Sequence, residues 1–538
     1  MNIPALTRQG SKTILTVDGK PFVALAGEIH NSDYTSPEYM EQIYRIADEL
    51  GMNTLLVPMS WDLVEPVEGC FDFSLARELL QQARRWGKKL SFLWFGSWKN
   101  AECMYAPEWV KRDLKRFPRA QIEKGKNKAG RRISESIPFK VPYTTLSALG
   151  EQTMEADAKA FAAFMAFLRQ EDSEFSTVIA VQVENETGLL GAAREQSDLA
   201  DELFAGPVPQ DFADYLRAHT DTMVPDVKAA VEAGAPAGSW AEVFGPAAEE
   251  LFTAYYTARF VEHVAARGKA EYPLPMTANC WQDKGGKPGS YPTGGPVSRV
   301  HEVWQFCAPS IDILCPDIYV PTFLQLCDEF TRRGGPLFIP ECATHSYCAP
   351  RLVYTVGHHH AICYSPFGFD DIGKPFTAIQ GFLFGVDVND PALKTPQSYQ
   401  EYGATAHLLQ GLLPRIAPAL GTADLDAACG EAGDSGVMTL GEVQVAAAFQ
   451  SPLQPRRDGS LLAVRTGEDE LFLLGNACSL TLQSANPEKP NLDLLRVEEG
   501  SFAPDGTWVR GRILNGDETA HMGFDTPGAL KVKYFLYD

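Results

Sequence analysis

From Pro21 onward the chain repeats one pattern: a short apolar run, then a longer segment whose apolar residues recur at helical spacing. That alternation constrains the fold more than any other feature. Parallel strands cannot be joined by tight turns, so strand-sized runs separated by helices predict βα units and a parallel sheet. The candidate strands are Phe22–Ile29, Asn53–Met59, Lys89–Phe95, Thr177–Val183, Leu274–Ala278, Ile311–Ile318, Leu337–Ile339 and Ala361–Ser365. Such a set predicts an α/β fold, a (β/α)8 TIM barrel. The intervening helices include Pro37–Leu50, Leu75–Trp86 and Glu155–Arg169. The first two stop at Gly51 and Gly87, where glycine accepts the left-handed backbone of a helix end.

Both flanks of this pattern differ from it. Residues 1–20 predict a polar hairpin turning at Val17-Asp18-Gly19-Lys20. After a last long helix near Ser398–Leu413, helical periodicity fades. Short runs such as Val443–Phe449, Leu461–Arg465 and Leu471–Leu474 follow, punctuated by Asp458-Gly459, Asp505-Gly506 and Asn515-Gly516. That is the pattern of an all-β module. The expected division is a barrel with its N-terminal hairpin over residues 1–418 and an all-β accessory domain over 419–538. A length of 538 residues accommodates both, since barrels with insertions can exceed about 400 residues.

Charge narrows the partners. With 47 Lys and Arg against 69 Asp and Glu the net charge is −22, which argues against nucleic acid and against an anionic membrane, and is compatible with a neutral sugar. Two long insertions follow the third and fourth strands. The first is basic near residues 111–132, where ten Lys and Arg stand against Asp113 and Glu123. Lacking interleaved aromatics to stack bases, it reads as a solvated loop against an acidic face of the same or a neighbouring subunit, so a homo-oligomer is an option. The 11 scattered cysteines read as buried thiols in a reducing compartment. Met1-Asn2-Ile3-Pro4 has no signal pattern, and no run reaches about 18 apolar residues. The expected location is the cytoplasm, or the periplasm if a signal has been removed.

The chemistry concentrates at two predicted strand ends. Val181-Gln182-Val183-Glu184-Asn185-Glu186-Thr187-Gly188 carries an apolar strand straight into Asn-Glu, and Leu337-Phe338-Ile339-Pro340-Glu341 does the same on the seventh strand. Barrel enzymes place reacting side chains at this C-terminal mouth. Two carboxyl groups there, Glu186 and Glu341, suit glycosidic cleavage, one protonating the leaving oxygen and the other meeting the oxocarbenium-like centre. Either glutamate alone would read equally well as a solvated strand cap.

At these residues the sequence resembles family 35 β-galactosidases, a branch of the barrel retaining glycosidases. The segment Val181–Gly188 is similar to the family's acid/base segment. Asn53-Thr54, Trp61-Asp62, Glu65-Pro66, Gly69 and Phe71-Asp72-Phe73 resemble its second-strand pattern, with weaker matches at Gly27-Glu28-Ile29-His30 and Ala106-Pro107-Glu108-Trp109. The resemblance covers roughly residues 20–345. It implies a retaining mechanism with Glu186 as acid/base and Glu341 as nucleophile. Three departures stand out: Pro58 occupies a frequent Tyr position, Phe95-Gly96-Ser97-Trp98 replaces a segment ending in Ala-Glu-Trp, and the C-terminal region does not resemble the jelly rolls of long eukaryotic members.

The expectation is therefore an exo-acting β-galactosidase releasing terminal β-galactosyl units from oligosaccharides, with galactosylated plant xyloglucan as a candidate. The alternatives are another retaining activity of the clan (β-glucanase, mannanase or arabinosidase) and a carbohydrate-binding protein that has lost catalysis. Among candidate sugar contacts, Asn185 precedes the acid/base and is expected near the 2-hydroxyl. Trp61, Trp98, Trp281 and Tyr319 lie past strand ends as stacking candidates, and Glu28, Ser97, Lys99 and Asn100 as hydroxyl partners. No cofactor and no metal is expected. Side chains of His358-His359-His360 diverge too far to converge on one ion. Cys342 and Cys348 read as packing thiols, and Lys287-Pro288-Gly289-Ser290 lacks phosphate-loop spacing.

Overall fold

The computed structural model describes residues 3–127, 129–132, 140–282, 285–378, 380–381, 387–390, 396–449 and 458–538. Its centre is a parallel sheet of Ala24–Glu28, Thr54–Ser60, Lys89–Phe95, Val178–Val183, Met276–Cys280, Ile313–Pro316, Phe338–Ile339 and Cys363–Tyr364, called here the first to eighth strands. They are hydrogen-bonded in the order sixth, fifth, fourth, third, second, first, eighth, seventh. The ring closes between sixth and seventh by a parallel bridge from Ile318 to Cys342, with the Ile318 N–H donating to the Glu341 carbonyl at 2.9 Å. This is a (β/α)8 barrel.

Strand residues alternate between two environments, as a pleated strand requires. Ala24, Ala26, Leu56, Leu93, Ile179 and Ile313 pack with one another inside the ring, joined by Leu15 and Val17 from the N-terminal region. Leu25, Leu55, Val57, Phe92, Trp94 and Val181 belong to the larger core shared with the helices. The helix Pro37–Glu49 starts with proline at its first position and Ser36 accepting the Tyr39 N–H at 3.3 Å. It stops at Gly51, whose φ of +66° suits glycine. A Cβ there would also stand 2.9 Å from the His407 backbone nitrogen, so the stop doubles as a close approach to the helix Pro396–Ala419.

The N-terminal segment is more than the expected hairpin. Ala5–Gln9, Lys12–Val17 and Lys20–Phe22 form a three-stranded antiparallel sheet. Lys20–Phe22 pairs back onto Lys12–Val17 before the chain enters the barrel at Ala24, so Phe22 belongs to this sheet and not to the first barrel strand. The basic stretch meets acidic partners within the same chain. Arg116 forms a two-pronged pair with Glu68 at 2.7 and 3.0 Å, and Lys124 reaches Asp198 at 2.9 Å. Lys128, part of that stretch, lies outside the described residues.

Beyond the helix Pro396–Ala419 every described sheet is antiparallel. One has six strands and contains Gly459–Gly467, Glu470–Asn476 and Gly528–Tyr537. The other has four and contains Val443–Ala448 and Cys478–Ser484. Val445, Leu461, Leu471, Leu473, Val497 and Val532 fill the space between them. The outer face of the larger sheet joins the barrel's own core through Leu462, Val464, Phe472 and Leu474. All eleven cysteines are free thiols, and only Cys70 is exposed. Among the described residues no helix is long and apolar enough to cross a membrane.

Candidate active site

The fourth strand ends at Val183, and the next three residues turn sharply. Glu184 and Glu186 both adopt left-handed backbone, with φ of +62° and +48°. Residues other than glycine seldom do so, and each such position costs of the order of 1–3 kcal/mol unless its surroundings enforce it. Here they do. The Glu186 N–H donates to the Asn279 side-chain oxygen at 2.9 Å, the Asn185 N–H to the Trp98 carbonyl at 3.2 Å, and the Ala101 N–H to the Glu186 carbonyl at 3.0 Å. Third, fourth and fifth strands are thereby tied together at the mouth.

Glu341 leaves the two-residue seventh strand through Pro340. Its Oε2 accepts the Tyr319 hydroxyl at 2.6 Å, and its Oε1 accepts Asn185 at 3.3 Å and Asn279 at 3.4 Å. The Lys99 ammonium lies 4.0 Å from the same Oε1. Asp317 completes the group, accepting Asn279 Nδ2 at 2.9 Å. Carboxylate oxygens of Glu186, Asp317 and Glu341 lie within 4.8 Å of one another, and all three residues are buried.

Burial and mutual repulsion set the electrostatics. Burial first, then the charge of Glu341, push the Glu186 carboxyl up to about 8, against the opposing pull of Lys99 and hydrogen bonds from Trp281 and Asp317. Burial followed by Glu341 also holds Glu28 and Asp317 well above the carboxylate range. Burial alone would weaken the Lys99 ammonium, but Glu341, Glu186, Glu28 and Asp317 outweigh it and raise its affinity for the proton. Both Glu28 oxygens, Asp317 Oδ1 and Asn185 Oδ1 are buried with no hydrogen-bond partner.

A second carboxyl pair lies beneath the first. Asp157, from the helix Glu151–Asp172, and Glu184 are fully buried side by side, and burial raises both, with the charge of Asp157 adding to the rise of Glu184; Glu184 Oε1 has no hydrogen-bond partner. Trp94 Nε1 donates to Asp157 at 2.8 Å, Ser97 donates to it through its N–H at 2.9 Å and its hydroxyl at 2.5 Å, and the Trp98 N–H donates to Glu184 at 2.8 Å.

The structure thus brings Glu28, Lys99, Asn185, Glu186, Trp281, Tyr319 and Glu341 together. Four other candidates go elsewhere. The Trp61 ring is in the core, its Nε1 on Glu65 at 2.9 Å and its face edge-on to Trp109. The Trp98 ring packs edge-on to Phe260 at 4.7 Å. Ser97 serves Asp157, and Asn100 is exposed on the turn between Lys99 and Glu102 with φ of +54°. Asn279 and Asp317 are absent from the sequence-based candidates, although both stand at the ends of predicted strands; the carboxyl rule that selects Glu186 also reaches Asp317, while the carboxamide Asn279 needs a rule for polar side chains in general.

The fold and the mouth define a class: a (β/α)8 barrel with paired buried carboxyl groups on its fourth and seventh strands. Comparison with known proteins is narrower in span. Residues 14–104, from the N-terminal sheet through the third strand, match the family described as glycosyl hydrolases family 35. Residues 403–524 match a domain of unknown function, DUF5597, which begins within the helix Pro396–Ala419. A β-galactosidase of Xanthomonas manihotis is 37% identical over 71 residues, 13% of this chain and 11% of that protein. Among solved structures, the β-galactosidase of Rahnella sp. R3 aligns with TM-score 0.44 at 14% identity, covering 74% of this chain and 57% of the other. The β-galactosidase of Marinomonas ef1 gives 0.46 at 13%, covering 73% and 60%. An exo-β-1,4-mannosidase from Opitutaceae bacterium strain TAV5 gives 0.41 at 14%, covering 76% and 62%. The chain spans about a tenth of the curated relative and under two thirds of each of these structures. Neither Glu186 nor Glu341 lies within the family 35 match.

Proposed function

We propose that this chain is a retaining exo-β-galactosidase in which Glu341 is the nucleophile and Glu186 the acid/base. One observation carries the reading: carboxylate oxygens of the two residues stand within 4.8 Å. Retaining enzymes hold their carboxyl groups about 5–5.5 Å apart, whereas inverting ones leave about 6.5–9.5 Å for a water between them.

The surroundings suit the two roles. Tyr319 and Lys99 place a hydroxyl donor and an ammonium on Glu341, which steadies a carboxylate aimed at the anomeric carbon. Glu186 keeps its proton at neutral pH, as a general acid must. In the first step Glu341 Oε forms the bond to the anomeric carbon as the bond to the leaving oxygen breaks, and the Glu186 proton goes to that oxygen. The ester so formed removes the Glu341 charge, and with it one of the two causes that raise Glu186. Glu186 then becomes a base able to take a proton from the incoming water, which expels Glu341. The unpartnered oxygens of Glu28, Asn185 and Asp317 are suited to accept sugar hydroxyl protons.

The galactosyl assignment draws on the family 35 match and the β-galactosidase relative, and the exo mode on the long loops that follow the third and fourth strands. Side chains of plant xyloglucan oligosaccharides are the proposed substrates, a boundary near residues 418–419 the proposed domain division, and the cytoplasm the proposed location, in keeping with eleven free thiols. A panel of aryl β-glycosides tests the sugar, with fastest turnover expected on the galactoside. An equal or better rate on the glucoside overturns the galactosidase assignment. A 2-fluoro-galactoside with a good leaving group should label the peptide holding Glu341, and a label on any other carboxylate reassigns the nucleophile.

A further inference from the structure

Away from the mouth, three side chains gather where the barrel meets the C-terminal sheets. Asp328 lies on the helix Phe323–Thr331, His358 and His359 follow the helix Cys348–Gly357, and each offers a ligand atom within 4.8 Å of the other two. His360 takes no part. With φ of +55° it turns away, accepts the Gly421 N–H at 2.7 Å and lies 3.3 Å from the Leu425 carbonyl. The divergence expected of three successive histidines removes one of them and leaves two.

His359 supplies the observation that points to a ligand. Its side chain is 4% exposed, its Nε2 is buried with no hydrogen-bond partner, and Asp328 Oδ1 faces it at 3.7 Å. The Thr331 hydroxyl donates to the Cys327 carbonyl at 2.8 Å, so the oxygen it turns to His359 Nδ1 at 3.5 Å is an acceptor. That assigns the ring proton to Nδ1 and a bare lone pair to Nε2. A lone pair and a carboxylate oxygen facing across such a gap repel unless a cation lies between them. On the other histidine, Asp426 of the strand Leu425–Gly430 sits 2.8 Å from His358 Nδ1. A carboxylate on one ring nitrogen orients the other toward a metal, the usual arrangement behind a ligating histidine.

We propose that Asp328, His358 and His359 bind a divalent ion of the zinc class and that this ion fastens the barrel to the C-terminal β-sandwich. Two imidazoles and one carboxylate are a donor set for Zn2+, with Co2+ as a spectroscopic substitute, and water fills the remaining position. Ligand atoms around such an ion stand about 3.3 Å apart at bond lengths near 2.0–2.2 Å. The Asp328 side chain, 69% exposed, is free to rotate inward by that amount. Through Asp426 the ion would act on the first strand of the β-sandwich, so binding would add to the stability of the whole chain.

The test uses the full chain, stripped with chelator and titrated with ZnCl2 by calorimetry, with equilibrium dialysis for stoichiometry. About one tightly held Zn2+ per chain is expected, with a rise in the thermal unfolding midpoint, and Co2+ should give visible bands of a low-coordinate nitrogen–oxygen site. His359→Ala should abolish both the binding and the thermal shift. Asp328→Ala, at an exposed position, should weaken binding, and Asp426→Asn should weaken it roughly 10- to 100-fold. Absence of tight Zn2+ binding overturns the proposal. So does binding that survives His359→Ala and Asp328→Ala but is lost in His30→Ala, because that places the ion beside Asp370 and Asp371, whose carboxylates lie 3.6 and 3.3 Å from His30 Nε2.

Discussion

Glu184 and Glu186 are two residues apart, share the same left-handed backbone and are equally buried, yet they sit in opposite chemical situations. Glu184 is paired with Asp157 and held by the Trp98 N–H, inside a network supplied by Trp94 and Ser97. Glu186 is buried at the barrel mouth with Glu341, Asp317 and Lys99, where oxygens of Glu28, Asn185 and Asp317 have no protein partner. Burial raises both carboxyl groups, so a raised pKa does not by itself mark the reacting one. Donors from Trp94, Ser97 and Trp98 fix the Asp157–Glu184 pair within the turn, although Glu184 Oε1 has no partner, whereas beside Glu186 the orphaned oxygens are those of Glu28, Asn185 and Asp317 at the mouth. Geometry of partners separates structure from chemistry here, where burial cannot.

The largest effect expected from breaking this contrast is at Glu341. Glu341→Ala should lower kcat/KM on an aryl galactoside by roughly 10^4-fold or more, as loss of a nucleophile does in other covalent enzymes. A loss below about tenfold would reject the role. Glu186→Ala should cost about 10^2–10^4-fold on poor leaving groups and far less on dinitrophenyl galactoside, with azide restoring turnover as the β-galactosyl azide. Equal losses on both substrates would move the acid elsewhere.

The same residue makes a pH prediction. Its folded value of about 8 lies above its ordinary 4.5, so the stability it contributes is complete below about 4.5 and is lost as pH rises through about 8. Glu186→Gln, which mimics the protonated form, should therefore gain thermal stability over the parent chain progressively between about pH 4.5 and about pH 8, level off above that, and show little gain at about pH 4. The alkaline limb of kcat/KM should fall in the same region, and scanning calorimetry with rate profiles checks both.

Glu184→Ala sharpens the contrast from the other side. It leaves the Trp98 N–H without its acceptor and opens a void, which should cost about 2–4 kcal/mol in denaturant unfolding. Whatever rate it loses should be the same for good and poor leaving groups, because the residue does not touch the leaving oxygen. The smallest effect belongs to Trp61→Phe, which removes the bond to Glu65 and should cost about 1–3 kcal/mol with KM unchanged. A KM rise there would return Trp61 to the sugar.

Much of this was legible beforehand for reasons that can be named. All eight barrel strands could be read because each is a compact apolar run between helices, and the third, Lys89–Phe95, agrees at both ends. The seventh and eighth shrink to two residues each, since hydrogen bonding there is shorter than the apolar run. Reading carboxyl groups at strand ends selects Glu186 and Glu341, and the same rule applied after Ile313–Pro316 also selects Asp317; Asn279, a carboxamide on Met276–Cys280, answers only to the wider rule of polar side chains at strand ends. Asp157 left a subtler mark: it sits on the helix face of Phe161 and Phe164, where a charged residue among apolar ones signals a buried partner. The Trp61 and Trp98 rings pack on Trp109 and Phe260, since an aromatic just past a strand can face the mouth or the barrel rim with equal spacing, and only packing decides.

The closure of the ring has its own consequence. Second and third strands pair over seven residues, whereas sixth and seventh meet at the bridge from Ile318 to Cys342, next to Tyr319 and Glu341. The barrel's slimmest seam therefore runs beside Glu341, the proposed nucleophile. Breathing of that seam would part Tyr319 from Glu341 while the thick side of the ring stays intact, so the Ile318 amide should exchange its hydrogen sooner than those of the third strand. On warming, such a protein loses its reactive geometry before it loses its shape.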